Sequence, residues 1–343
     1  MKQYARIFNQ YKYQMQKRPD DALWPRDGNI GDCIQSLAIE NLYRKIGIAV
    51  ETLTLINRDD IRTYRGGGGT RYVLPMQAWF ADYAGVFPLP WSDEIEPVFI
   101  GFHLNTIHHT RERFIREKIH EKMKAFEPIG CRDRSTCDFL RSLGVNAYFS
   151  GCMTLTFDKR EKEPVNGKIF LVDPTRKTLK KLPHWIREQA DTSITHFYYW
   201  NQYPVTLQGA QDFENEARHI LQRYKNEARL VITSKIHAAM PCVAMGIPVI
   251  FIHEEADNVR FDVLDGILPR YTPKDMPFID WNPKAADISE LKQALIANAL
   301  DRLLQKEDKQ AIETLNRLTA RLKPIKAVSL KKKVTAFMQK LSL

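Results

Sequence analysis

The sequence predicts an α/β protein built from two units, each a parallel sheet covered by helices, and three observations carry that prediction. The 343 residues exceed what one domain of ordinary size needs, since length divided by ~150 gives roughly two. Short apolar runs alternate with segments of helical length, the pattern of right-handed strand-helix-strand crossovers. Between two such series lies a charged stretch from Asp158 to Lys168, with Pro164 and Gly167 and no large apolar side chain, suited to a boundary. The first unit is placed at residues 1–160, the second at 168–300, and a C-terminal helix with a basic tail at 301–343.

Element by element, Asp27-Gly28-Asn29-Ile30-Gly31-Asp32 is a polar, glycine-containing loop. Ile34, Leu37, Ala38, Leu42 and Ile46 follow it at helical spacing, so the loop opens a helix. Val50 to Leu55 alternates like a strand, Tyr72 to Leu74 makes another, and Pro97 to Phe102 reads as a buried parallel strand. One charged helix is expected from about Arg111 to Phe126. A helix from Arg132 to Leu143, closed by Gly144, leads to a strand at Val145 to Phe149.

In the second unit Ile169 to Asp173 is a buried strand, followed by a helix near 183–190 and a strand near Ile194 to Tyr198. A helix at about 213–224, a strand at Ala228 to Thr233, a helix at Ile236 to Met245 and a strand at Gly246 to Ile252 complete the series. The four glycines 66–69 lack the Lys-Ser/Thr of a nucleotide-triphosphate loop and read as a turn. Trp24, Trp79 and Trp91 suit core packing better than stacking on a sugar.

Composition excludes several classes. At 44% hydrophobic and 27% charged residues the chain can bury a core, and no apolar run approaches a membrane span. The first residues lead into polar sequence rather than a signal peptide, and five scattered cysteines form no CxxC pair, so a reducing cytoplasmic setting is expected. The nine histidines show no zinc spacing, so no metal site is expected. The net charge of +10 is concentrated at the end, where residues 314–343 hold eight basic side chains and no acid. With Val334 and Phe337 beside Lys331-Lys332-Lys333, this tail suits an anionic membrane surface, although a solvated helix face would look the same. Nucleic acid is not expected as a partner, because basic and aromatic residues do not interleave.

Ligands of open α/β sheets bind outside the carboxyl ends of the strands, and three segments fall there. Asp32 lies at a helix start, where capping is its ordinary use. Arg132, Asp133 and Arg134 occupy a strand-to-helix turn, where arginine forks suit carboxylate and phosphate, and Asp133 could equally cap the helix. Ser234, Lys235 and His237 occupy the turn after a core strand, where an anion would dock on free helix amides.

Taken in order, these segments resemble the polysaccharide pyruvyl transferase family from about residue 26 to 265. The carrying motifs are Gly28-Asn29-Ile30-Gly31-Asp32, Val98 to His103, Cys131 to Ser135, Phe149 to Thr156, and Val231 to Ala239 with Gly246 to Ile250. The resemblance implies a GT-B-like fold, two Rossmann-like domains facing a cleft, and transfer of pyruvate from phosphoenolpyruvate to a sugar as a ketal. That chemistry needs a proton, and His237, its pKa near ~6.5 allowing donation at neutral pH, is the candidate acid or else the group stabilising the departing phosphate, with Asp32 as base for the acceptor hydroxyl. Arg132, Arg134, Ser234 and Lys235 would bind the donor, with Asn29 and His103 on the acceptor side. Lys235 stands where the family usually has Arg and Ile236 where it has Leu; the lysine keeps the charge but loses the bidentate fork. No cofactor or metal is implied, phosphoenolpyruvate being a co-substrate and the acceptor sugar free or lipid-linked. A nucleotide-sugar glycosyltransferase and a non-catalytic glycan- or membrane-binding protein are the alternatives.

Overall fold

The computed structural model describes residues 2–10, 27–82, 86–199, 206–306 and 309–325. Trp24 and the basic tail beyond residue 325 lie outside them. Strand β1 (Lys2–Phe8) is central to the first sheet, pairing in parallel with β3 (Thr54–Asn57) on one side and β4 (Arg71–Pro75) on the other. Ala5, Arg6, Ile7 and Phe8 are all buried, so both faces of the strand are covered and Arg6 must find its charge partners inside the protein.

Beyond β4 comes β6 (Ile95–Val98). The sheet then continues through a parallel bridge from Phe102 to Cys131, in β8 (Ile129–Cys131), and on to β9 (Ala147–Phe149). Two-residue strands β5 (Trp79–Phe80) and β7 (His103–Leu104) pair beside it. Trp91 is buried edge-on against Phe99 and Phe126, a core use.

The short strand β2 (Asp27–Asn29) runs into helix α1 (Ile30–Lys45), with the Asn29 side chain accepting from the Gly31 amide at 3.0 Å as its cap. The strand expected from Val50 begins only at Thr54, after a 3-10 turn at Val50–Thr52. The single helix expected at 111–126 is two, α2 (Thr110–Arg116) and α3 (Ile119–Met123), separated where Lys118 adopts φ +52°. Phe114, Ile119 and Met123 are all fully buried, and an unbroken helix would swing Ile119 about 140° away from Phe114. Helix α4 (Arg134–Ser142) ends as predicted at Gly144, which takes φ +72°.

The second sheet has the parallel order β11-β10-β13-β14-β15. Its elements run β10 (Lys168–Val172), α5 (Arg176–Lys181), α6 (His184–Gln189), β11 (Ala190–Asp191), β12 (Phe197–Tyr199), α7 (Leu207–Glu227), β13 (Ala228–Thr233), α8 (Ile236–Ala244), β14 (Val249–Ile252) and β15 (Arg270–Tyr271). Helix α7 is longer than the 213–224 expected, because Thr206 caps it by accepting from the Gly209 amide at 3.0 Å. Two helices, α9 (Ser289–Leu303) and α10 (Lys309–Thr319), follow. They return to the first sheet: Asn298 accepts from the Tyr148 hydroxyl at 2.9 Å, and Arg302 donates to the Phe126 carbonyl at 3.1 Å. The result is two α/β units, each built on a parallel sheet covered by helices.

Helix α1 is the joint between them. It lies between the first sheet and helices α7 and α8, so Asp32, Gln35, Ser36 and Glu40 are buried with its apolar residues. Charge on such a helix requires partners. Arg218 of α7 grips Glu40 through two bonds at 2.7 and 2.6 Å, and Arg6 grips Glu214 of α7 at 2.7 and 2.6 Å. Burial works to raise the Glu40 carboxyl, but Arg218, Arg6 and Arg44 outweigh it and hold it below its ordinary value. A second link crosses the domains where β12 pairs antiparallel with β2, Phe197 opposite Asn29.

Candidate active site

The starts of α1, α4 and α8 and the turn at residues 259–264 converge at the carboxyl edges of the two sheets. Arg132 follows β8 and is buried, its backbone amide held by the Phe102 carbonyl at 2.8 Å. Its Nη1 donates to the Gln35 side-chain oxygen at 3.2 Å. Gln35 in turn donates to Asp32 at 3.4 Å, and Asp32 receives Arg58 Nη1 at 3.1 Å. Arg58, Asp32, Gln35 and Arg132 therefore form one buried chain that fixes the Arg132 guanidinium by its neighbours.

Asp32 is thus not the helix cap, a task Asn29 performs. Its two oxygens are engaged by Arg58 and Gln35, so it holds the guanidinium chain. Asn29, expected on the acceptor side, spends its side-chain oxygen on the cap.

His103 closes a dyad. Its Nδ1 lies 2.5 Å from Asp133 Oδ2, while the other Asp133 oxygen caps α4 through the Thr136 amide at 2.8 Å. Burial and then Arg132 push His103 down to about 4 against the pull of Asp133, so the ring is neutral at pH 7. Burial would raise the Asp133 carboxyl, but His103, Arg132 and the Thr136 amide hold it well below its ordinary value. A neutral imidazole beside an ionised carboxylate donates from Nδ1 and keeps Nε2 as an acceptor.

His237 lies in the first turn of α8 and packs on Gly31, where a Cβ would stand only 2.8 Å from His237 Nδ1. Its Nε2 is buried with no hydrogen-bond partner among the described residues. Burial first, then Arg132, His196, Arg260 and His103, hold the ring well below its ordinary value. This corrects the expectation of a histidine titrating near neutrality: without a neutralising anion, His237 is an uncharged ring among cations.

Lys235 precedes it, its Nζ 4.2 Å from the centre of the half-exposed Phe197 ring. Burial, with Arg260 nearby, lowers the Lys235 ammonium against the pull of Asp173. Neither Lys235 nor Arg260 has a carboxylate within 4.0 Å among the described residues. Ser234 gives its hydroxyl proton to the Asp173 carbonyl at 2.7 Å, leaving an oxygen that can only accept, so it is unsuited to a phosphate.

Arg134 is also turned elsewhere. Its guanidinium donates to the Thr319 carbonyl at 2.9 Å and that of Leu322 at 3.3 Å, and stacks over Phe149. It ties down the returning C-terminal segment. The Arg134 amide donates to Asp262 at 2.8 Å, and burial with Asp133 nearby pushes the Asp262 carboxyl up to about 7.

The structure thus brings Arg132, Lys235, His237 and His103 together and adds residues the sequence did not mark: Arg58, Gln35 and Arg260. Arg58 directly follows β3 and Arg260 lies in the turn after β14, so the carboxyl-end rule applied to every strand would have flagged both. Gln35 left no signal, since a polar residue on α1 reads as surface until the second domain covers it. Among the described residues no group of histidine, cysteine and carboxylate side chains could hold a metal ion, and all five cysteines are buried free thiols.

Fold and site together define an α/β protein of two parallel-sheet units with a buried cluster of cations and histidines at the carboxyl edges of its sheets. The chain belongs to the polysaccharide pyruvyl transferase family, whose sequence model matches residues 29–253, and it is accordingly a transferase. No curated protein matches it significantly. Among solved structures it is similar to a functionally uncharacterised protein of Klebsiella pneumoniae subsp. pneumoniae, at 14% identity, covering 75% of this chain and 85% of that one, with a TM-score of 0.43. It is similar also to a Listeria monocytogenes protein assigned as a UDP-N-acetylglucosamine 2-epimerase, at 12% identity, covering 92% and 90%, TM-score 0.35. A third is S. aureus MnaA with UDP, at 11% identity, covering 92% and 91%, TM-score 0.34.

Proposed function

We propose that the protein transfers pyruvate from phosphoenolpyruvate to two hydroxyls of one sugar, forming a ketal and releasing phosphate. The observation that carries this reading is the set of cations gathered around His237, of which Lys235 and Arg260 lack a carboxylate partner among the described residues. Phosphoenolpyruvate brings a phosphate and a carboxylate, and such a set compensates both.

The same electrostatics supply the proton. A bound trianion offsets Arg132, Arg260 and Lys235, raises the His237 pKa and lets the ring take a proton that it does not hold in the free protein. Protonated His237 then gives its proton to the methylene carbon as a sugar hydroxyl adds to C2. His103, neutral and oriented by Asp133, takes the hydroxyl proton at Nε2, the base role first given to Asp32. The C2–O bond to phosphate then breaks and the second hydroxyl closes on C2, its proton passing to the departing phosphate, which completes the ketal. No residue in this scheme calls for a metal or cofactor. A lipid-linked acceptor would place the protein at the inner face of the membrane; among the described residues no helix is long and apolar enough to cross it.

The test is phosphate release from phosphoenolpyruvate against a panel of sugar acceptors, with the product examined for a ketal. Turnover of a nucleotide sugar instead would select a glycosyltransferase.

A further inference from the structure

We propose that helices α5 and α6 form a docking surface for an anionic lipid bilayer, beside the active site and separate from it. This goes beyond the transfer reaction and stands without it. Arg176, Lys177, Lys180 and Lys181 on α5 and Arg187 on α6 are all exposed, and Lys274 joins them from the segment after β15. Two large apolar side chains are exposed in the same helices, Leu179 at 44% and Trp185 at 40%.

The lysines converge. Lys177, Lys180, Lys181 and Lys274 line one cavity of about 310 Å³ with Pro273 in its wall. Of the acids beside it, Glu254 pairs with Lys177 at 2.7 Å and Glu188 with His184 at 3.1 Å, leaving Lys180, Lys181 and Lys274 without an ion pair among the described residues.

On α5 the ~100° step per residue turns Lys177 and Lys181 to the cavity flank and Leu179 to the other, with Arg176 and Lys180 beside it, so basic and apolar side chains share the exposed surface of the two helices as phosphate and acyl chain share a bilayer interface. Tryptophan and leucine exposed among lysines are what an interfacial surface presents, with the aromatic ring at headgroup level. A soluble polyanion would gain nothing from Leu179 and Trp185, so charge and apolarity together favour the membrane. The surface also faces the useful way. Lys177 follows β10, Glu254 follows β14 and Lys274 follows β15, so the cavity opens on the carboxyl edge from which Lys235 and His237 rise after β13.

Co-sedimentation of the full chain with phosphatidylcholine vesicles, with and without phosphatidylglycerol, tests this without any transfer chemistry, so its outcome is independent of the pyruvyl reading. The protein should bind the anionic vesicles alone, and salt should weaken the binding. Each basic side chain at such a surface is worth roughly a factor of five, so Lys180→Gln with Lys181→Gln and Lys274→Gln should weaken partition roughly a hundredfold. Trp185→Ser should weaken it further at high salt, with melting temperatures unchanged in both variants.

Three results would overturn the proposal. They are failure of the parent protein to bind, loss of binding only when Lys331, Lys332 and Lys333 in the tail are changed to glutamine, and tight binding of heparin that Trp185→Ser and the vesicles leave unaffected.

Discussion

Gly31→Ala tests whether the position of His237, rather than its mere presence, supports turnover. The new Cβ would stand 2.8 Å from His237 Nδ1, 3.0 Å from Asn29 Oδ1 and 3.1 Å from His237 Cβ, where ordinary contact begins near 3.4 Å. The imidazole must therefore retreat by about 0.6 Å, because the cap side chain blocks the other direction. A misplacement of 1 Å in a reacting group can cost about a hundredfold, so kcat/KM for phosphoenolpyruvate should fall by about ten- to a hundredfold. Stability should change little. Overpacking costs about 1–3 kcal/mol, while replacing glycine within a helix returns about 1 kcal/mol. Phosphate release at saturating acceptor, with melting followed by circular dichroism, separates the two effects. Turnover within twofold of the parent with melting unchanged would show that the ring's placement against Gly31 plays no part in the chemistry.

Glu40→Gln takes one of the two carboxylates from Arg218 and Arg6 at the domain joint while both keep Glu214, and should destabilise the fold by about 1–3 kcal/mol in chemical denaturation. Because the folded-state pKa of Glu40 is depressed, its contribution is present above the unfolded value and is lost as pH falls through the folded one, so acid should weaken the parent more than this variant. Asp262 has the opposite sign. With its carboxyl pushed up to about 7, its contribution is full below the unfolded value of about 4 and lost as pH rises to 7, so Asp262→Asn should stabilise the protein above pH 7 in thermal melts. If His103 is the base, the acidic limb of kcat/KM lies near pH 4 rather than 6.5, and His103→Gln removes most of the activity and abolishes that limb in any residual rate. Lys235→Arg restores the residue usual in the family while keeping a cation over Phe197, and should preserve or lower the KM for phosphoenolpyruvate. A loss of turnover there would assign the ammonium its own task.

The alternation of apolar and amphipathic segments, and the glycine and polar residues between them, determined two parallel sheets and most of their strands. Those signals are local: a buried parallel strand needs an apolar run, and a helix needs its stripe and its ends, whatever lies far along the chain. The same locality made Arg132, Lys235 and His237 legible, since each follows a strand in the place where any such sheet binds its ligands. Which face of a helix is covered twice is not a local property. Only packing of α1 against both domains turned Asp32, Gln35 and Glu40 from side chains that would face water into buried partners of Arg58, Arg132 and Arg218. Charge state is equally long-range. The sequence shows an imidazole at His237, but its suppressed proton affinity comes from burial among Arg132, His196, Arg260 and His103, brought together from both domains across the fold. Arg134 and Ser234 show the converse. Their types and positions suit an anion, and only the folded chain gave them nearer carbonyls to satisfy.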